Sequence, residues 1–194
     1  MLLAYTMMPG PGDMDRLLSK LAERLFSRGL RVCGCVQSNI ERPDLSACDM
    51  FIRTLPAQNE YQISQYLGRG AKSCRLDANA LEAAVGDVTR EFVKGADLLL
   101  INKFGKHEAQ GRGFRALIGQ AVAEGTPTLV GLNELNRPAF LVFAEGLAVR
   151  RSASLEDLLD WADTVCPLSR VHRARQTGVE DRKEPAVDAG DQSG

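Results

Sequence analysis

The most informative part of the chain is ADLLLINKFGKHEAQGRGF, which occupies residues 96–114. Residues 98–101 form an unbroken apolar run, which is typical of a strand covered on both faces in a parallel sheet. Polar residues and glycines follow, and we expect residues 103–112 to form a loop. Residues 114–122 then repeat apolar side chains at helical spacing. The order strand, loop, helix is that of a βαβ unit.

The same alternation of strand and helix continues on both sides of this stretch. Further strands are predicted at residues 1–6, 30–37, 50–52, 127–132 and 147–150. Further helices are predicted between Asp13 and Gly29, between Asp77 and about Val93, at residues 138–144, and from Ser154 onward. Alternating elements favour an α/β fold with a mainly parallel sheet and helices on both faces, a three-layer sandwich.

Two regions have weaker patterns. Residues 61–67 fit either a strand or a short helix, and residues 71–76 fit the second arm of a hairpin. Periodicity ends near Pro167, and the residues after it are rich in Asp, Glu, Gly and Ser. We therefore expect one α/β domain over residues 1–167 and a disordered tail over residues 168–194.

Composition excludes several classes of protein. The 194 residues include 24 basic and 25 acidic ones, a net charge of -1, so no basic surface for nucleic acid is indicated. No apolar run is long enough to cross a membrane. The odd number of cysteines, five, argues against a disulfide framework and favours a cytoplasmic location. Cys33 and Cys35 share one face of a predicted strand, where two small buried side chains are favoured over a metal pair.

Ligands of such folds bind beyond the carboxyl ends of the strands, which selects residues 7–12, those from 38 onward, and 103–112. The first loop contains Gly10 and Gly12, and Asp13 is expected to be the N-cap of the following helix. A working P-loop, GxxxxGK[ST], needs a Lys for the phosphates and a Ser or Thr for magnesium, and both are absent here. Two interpretations stay open: an acid-capped turn, or a modified anion or nucleotide site.

The loop after residues 96–102 is the second candidate site. Its cations and glycine amides could bind an anion, and Arg75 could join them if the predicted hairpin folds over the sheet. The alternative is a solvated loop in which Glu108 and Arg112, four residues apart, pair with each other. The candidate residues of this loop are Asn102, Lys103, Gly105, Lys106, Glu108 and Arg112.

Residues 96–125 resemble the Walker B region of the small nucleoside-triphosphatases first described from thermophiles. Gly105, Glu108 and Phe114 fit that pattern. Asn102 stands where the family has its magnesium-associated Asp, and Lys103 stands where it has its water-activating Glu. Asn is a poor ligand for a hard cation, and a charged Lys cannot act as that base.

The chain over residues 1–165 also resembles an uncharacterised bacterial family, a domain of unknown function whose members are sometimes labelled nucleoside-triphosphatase-like. Residues 74–77 (CRLD) and 102–114 (NKFGKHEAQGRGF) carry this resemblance. It implies a P-loop-like scaffold and genes near those for molybdenum transport or molybdenum enzymes. It implies no cofactor and no established activity.

Three functional hypotheses follow. The first is a non-hydrolytic protein that holds a small anion or nucleotide on a degenerate P-loop scaffold. The second is a divergent nucleoside-triphosphatase or nucleotide kinase, which would need metal ligands such as Asp13 or Asp15. The third is an interaction protein with a vestigial site, which binds a protein partner or forms a homo-oligomer. We favour the first, because the groups needed for hydrolysis are missing from two separate loops.

Overall fold

A computed structural model describes residues 1–10, 12–41, 48–65 and 76–166. The strands are β1 (Leu3–Met7), β2 (Val32–Glu41), β3 (Cys48–Leu55), β4 (Glu60–Gln62), β5 (Leu98–Phe104), β6 (Thr128–Leu132) and β7 (Ala148–Arg150). The helices are α1 (Asp13–Ser27), α2 (Ala78–Phe92), α3 (Lys106–Ala109), α4 (Arg115–Ala123), α5 (Arg137–Ala144) and α6 (Leu155–Val165).

Among these residues the strands form one seven-stranded sheet in the order β4-β3-β2-β5-β6-β1-β7. The five strands from β2 to β7 in that order are parallel, and β3 and β4 extend the sheet antiparallel at one edge. Helices α1 and α6 cover one face, and α2, α4 and α5 cover the other. The predicted α/β sandwich with a mainly parallel sheet is confirmed.

Strand β5 is apolar from Leu98 to Ile101 because helices cover both of its faces. Leu98 and Leu100 pack in the core beneath α1 and α6, whereas Leu99 and Ile101 pack in the core on the opposite face. All four side chains are fully buried. Successive side chains of a strand point to opposite faces, so a strand between two helical layers needs apolar residues at every position.

Gly34 in β2 lies against β5 at a point of close approach. Its φ is 129°, and a Cβ atom added there would lie 1.9 Å from the carbonyl oxygen of Leu100. Cys33 and Cys35 on either side of it are both buried in the same core, as predicted. Burial raises the pKa of the Cys35 thiol to about 12, so it packs as a small apolar side chain.

The helix caps were predicted with mixed success. The Asp77 carboxylate accepts hydrogen bonds from the N–H groups of Asn79 and Ala80, and Ser154 caps α6 in the same way. Asp13 was predicted as the N-cap of α1, and this is wrong. The helix begins at Asp13 itself, and the cap is Gly12 in the left-handed conformation, which the missing Cβ permits.

The uncertain regions are resolved in part. Residues 60–62 form strand β4, so the strand alternative is correct there, and Leu76 forms an antiparallel bridge with Ser64. β2 continues to Glu41, four residues past its predicted end, because it pairs with β3 as a hairpin. Cys74, Arg75 and the predicted tail at residues 168–194 lie outside the described residues.

Candidate functional site

The carboxyl ends of β1, β2, β5 and β6 meet at one edge of the sheet, where adjoining cavities open. The first, which we call the loop cavity, has a volume of about 320 Å³. It lies between residues 8–10 and 12 on one side and the ends of β2, β5 and β6 on the other. Its lining includes Gly10, Gly12, Asp15, Gln37, Asn39, Lys103 and Asn133.

The first turn of α1 carries two acidic residues, Asp13 and Asp15. The Asp13 carboxylate forms an ion pair with Arg16, and its Oδ2 atom lies in the space that a side chain at Gly10 would fill. A carboxylate in this place neutralises the positive end of the helix dipole by itself. The turn therefore bears an acid at the first residue of α1 but is not capped by it, and the anion or nucleotide site stays a prediction.

Asp15, two residues further along α1, joins the helix to β2 and β5. Its Oδ1 atom accepts a hydrogen bond of 2.8 Å from Nδ2 of Asn102, and its Oδ2 atom accepts one of 2.6 Å from Nδ2 of Asn39. Gln37 in turn donates to Oδ1 of Asn39 over 2.9 Å. Asp15 is 7% exposed and Asn102 is fully buried. Both carboxylate oxygens are thus engaged by neutral amides.

This arrangement does not fit a magnesium ion of the kind that the fold implies. The carboxylate expected at the end of β5 is the amide of Asn102, and that amide donates to Asp15. Asp13 is paired with Arg16. Magnesium selects oxygen ligands and carboxylates in particular, whereas the Asp15 oxygens already accept two N–H groups. Among the residues described, no group of three or more His, Cys, Asp and Glu could hold a metal ion.

The segment after β5 was predicted as a loop from Lys103 to Arg112, and this is wrong at two points. β5 continues to Phe104, whose side chain is fully buried, and Lys106–Ala109 form the short helix α3. The register of β5 against β6 shifts after Ile101, and the peptide bond between Asn102 and Lys103 is cis. The structure at this strand end is therefore more ordered than its polar sequence suggested.

Glu108 organises this segment. Its Oε2 atom accepts a hydrogen bond from the Gly105 N–H at 2.8 Å, and its Oε1 atom accepts one from the Phe114 N–H at 3.3 Å. Burial raises the pKa of the Glu108 carboxyl despite these donors. On the α2 side of this segment, the Glu82 carboxylate contacts the His107 ring and accepts a hydrogen bond from the Gly113 N–H. Glu108 therefore fixes the backbone at Gly105 and Phe114 through hydrogen bonds. The ion pair predicted between Glu108 and Arg112 is absent.

The predicted cations converge only in part. Lys103 lines the loop cavity and also a second cavity, and Lys106 lines the second cavity. Arg112 lines neither of the two and donates to Gln110 instead. Arg75 lies outside the described residues. Within the described part of the chain, neither Lys103 nor Lys106 forms an ion pair.

The second cavity, which we call the apolar cavity, has a volume of about 230 Å³ and lies between α2, α3 and β3. It shares Gln37, Met50, Lys103 and Asn133 with the loop cavity. The sequence did not single out Gln37, Asn39 or Asn133 as site residues, although Asn39 lies in the selected stretch from residue 38 onward. The rule that ligands bind at the carboxyl ends of strands could also have selected Asn133, which directly follows β6.

Fold and site together define a P-loop-NTPase-like α/β protein. A solved structure titled "Solution Structure of a Human Cancer-Related Nucleoside Triphosphatase" is similar over 94% of this chain and 98% of its own, with a TM-score of 0.54. The two sequences are 18% identical, so the likeness establishes the fold alone.

The chain belongs to the family described as "Protein of unknown function (DUF2478)", which matches residues 3–161. It is also 35% identical over 167 residues to the "Molybdenum import ATP-binding protein ModC 2" of Bradyrhizobium diazoefficiens. That match covers 84% of this chain but 18% of the relative, so the chain spans under a fifth of the relative's length. Of the helices described, none has the length and apolar character needed to cross a membrane.

Proposed function

We propose that the protein holds a small anion at the carboxyl edge of its sheet, either a free oxyanion or the anionic group of a nucleotide-like ligand, and that it does not hydrolyse it. The observation that supports this most is Lys103. It lies between the two cavities and makes no ion pair with a described residue. A cation that lines a cavity and is left unpaired by the protein is available to a ligand.

The charges of the loop cavity favour a weakly charged ligand. Among the described residues, Asp15 and Lys103 are the charged side chains that line it, and their charges cancel. A triphosphate would meet the carboxylates of Asp13 and Asp15 without the Lys that normally neutralises it. An anion of one or two charges would form an ion pair with Lys103 and accept hydrogen bonds from the amide donors around it.

The same residues support the proposal that the ligand is not hydrolysed. Asn102 and Lys103 provide neither a carboxylate for magnesium nor a general base at the end of β5. Asp15 is engaged on both oxygens. The first loop and the strand end would both have to rearrange before a metal ion and an attacking water could be held.

The molybdenum relative suggests which oxyanion to test first. Its printed name describes an ATP-binding protein for molybdenum import, and this chain corresponds to a part of it. We therefore propose that molybdate is a candidate ligand and that the protein acts in molybdate or molybdenum-cofactor biology. Molybdate carries two charges, which suits the single unpaired Lys103.

Titration calorimetry tests the proposal. Molybdate, tungstate, phosphate, ATP and GTP are each titrated into the protein at about 100 μM, where a binding free energy near -5.5 kcal/mol is measurable. We expect at least one of them to bind and Lys103→Ala to weaken that binding tenfold or more. Lys94→Ala is the matched control, because Lys94 pairs with Glu91 and lines neither cavity.

Two results would contradict the proposal. One is the absence of binding heat for every ligand with folded protein. The other is binding that Lys103→Ala and Lys94→Ala affect equally, since the anion would then be held by general surface charge.

A further inference from the structure

The apolar cavity has walls that a bare oxyanion cannot use. Ile52, Ile63, Leu81 and Phe114 line it, and each is at most 4% exposed. Small-molecule sites combine such apolar walls with a few polar groups that fix the orientation of the ligand. A tetrahedral oxyanion gains nothing from contact with apolar side chains, because its charge must be hydrogen-bonded or paired.

The polar groups at the junction of the two cavities are amides. Gln37 and Asn133 line both cavities, and Asn136 lines the apolar one. Gln37 is 5% exposed and donates from Nε2 to Asn39, and the Asn133 Oδ1 atom accepts from Asn136, so these amides are fixed. Oε1 of Gln37 and Nδ2 of Asn133 form no hydrogen bond with a described residue. A side-chain amide both donates and accepts hydrogen bonds. Such groups match a ring whose edge carries donors and acceptors better than they match a purely aliphatic ligand.

The charges around the apolar cavity also favour an acidic ligand. Lys103 and Lys106 both line it, and no described residue pairs with either. The Glu108 carboxylate, which lines the cavity too, accepts hydrogen bonds from two backbone N–H groups, those of Gly105 and Phe114. The carboxylate is therefore compensated by the protein, whereas the two ammonium groups are left for a ligand.

From these observations we infer that the ligand is an organic anion with a planar ring, apolar on its faces and polar at its edge. The ring occupies the apolar cavity between α2, α3 and β3, its polar edge meets the amides of Gln37 and Asn133, and its acidic group lies beside Lys103. This inference rests on the proposed function and narrows it from any small anion to one that carries a ring. The ring site is separate from the first loop, where P-loop proteins hold phosphates.

Calorimetry with matched probes tests the inference. The ring-bearing anions are AMP, GMP and indole-3-acetate, the neutral rings are adenosine, guanosine and indole, and the anions without a ring are phosphate and acetate. We expect at least one ring-bearing anion to bind ten times more tightly than its neutral ring and its bare anion. Leu76→Trp, which adds volume at the cavity wall, should weaken that binding tenfold and leave phosphate unaffected. Leu76 is half-buried, so the larger side chain can be accommodated without unfolding.

Val93→Trp is the matched control, because Val93 is 68% exposed and lines neither cavity. The inference is overturned if no ring-bearing anion binds more tightly than its neutral ring and its bare anion. It is also overturned if Leu76→Trp and Val93→Trp, both folded, change the affinity for that anion equally. Oxyanion binding that still depends on Lys103 would in that case leave the proposed function standing. If no probe binds and Lys103→Ala changes nothing, both fail.

Discussion

Asn102→Asp would restore the acid that P-loop NTPases carry at this strand end, and we predict that it destabilises this protein. The Asn102 Nδ2 atom lies 2.8 Å from the Asp15 carboxylate, and the two residues are 0% and 7% exposed. The substitution replaces the amide donor of Asn102 by a second carboxylate in a site that is almost closed to solvent. The hydrogen bond that joins α1 to β5 would become a repulsive contact.

The magnitude follows from this distance. Two like charges about 2.8 Å apart repel by about 6 kcal/mol at an effective dielectric constant near 20. The pair can avoid this by keeping one proton, which costs about 1.4 kcal/mol for each pH unit above the ordinary Asp pKa of about 3.9. Protonation therefore limits the loss to about 4 kcal/mol at pH 7 and about 1.5 kcal/mol at pH 5. The folded variant binds a proton that its unfolded chain releases, so the deficit shrinks as the pH falls.

Urea unfolding at pH 7 and pH 5 measures this loss. With an m-value of about 2 kcal/mol/M, the midpoint at pH 7 should fall by roughly 2 M. The double variant Asp15→Asn with Asn102→Asp is the matched control, because it restores one carboxylate facing one amide. We expect it to recover most of the lost stability. The reasoning is refuted if Asn102→Asp stays within about 1 kcal/mol of the native protein at pH 7, or if the double variant is no more stable than the single one.

Burial alone would raise the pKa of Asp87, but the donors around it, led by Asn59, lower it on balance. The ionised Asp87 therefore stabilises the fold above its ordinary pKa, and this stabilisation is lost as the pH falls through the lowered pKa. Asp87→Asn should cost about 1.5–3 kcal/mol of the free energy of unfolding near pH 7 and little near pH 2. An equal cost at both pH values in urea unfolding would contradict this. Gly34→Ala should cost at least about 1–3 kcal/mol in thermal or urea unfolding, because its Cβ would overlap the Leu100 carbonyl. Gly119→Ala is the control: it lies within α4 with no atom within 4 Å of an added Cβ, so it should stabilise by about 0.5–1 kcal/mol.

The sequence predicted the elements that bury apolar side chains on both faces of the sheet. Leu98 to Ile101 could be recognised as a central strand because both core layers require apolar residues there. The loss of the NTPase groups stays a prediction, because it depends on the identity of the residues in two loops of the sequence. The predicted loop at residues 103–112 failed because Phe104 continues the strand and Glu108 caps a short helix, and both depend on tertiary burial.

The internal network of the site could not be predicted from local sequence. Asp15 contacts Asn39, 24 residues away, and Asn102, 87 residues away. Only the folded sheet brings these residues together, because β2 and β5 are neighbours and α1 packs across them. For the same reason the spacing of Glu108 and Arg112 indicated a surface ion pair, whereas the buried Glu108 carboxylate accepts hydrogen bonds from backbone N–H groups instead.

Binding without hydrolysis is the central claim, and single-turnover phosphate release tests it most directly. Protein in excess is mixed with ATP or GTP and magnesium, and inorganic phosphate is followed over time. We predict release at the rate of the buffer alone, because Asn102 and Lys103 stand in place of both functional acids. Magnesium-dependent release that is lost in Asp13→Ala or Asp15→Asn would contradict the account, since it would show that the carboxylates of α1 hold the metal after all.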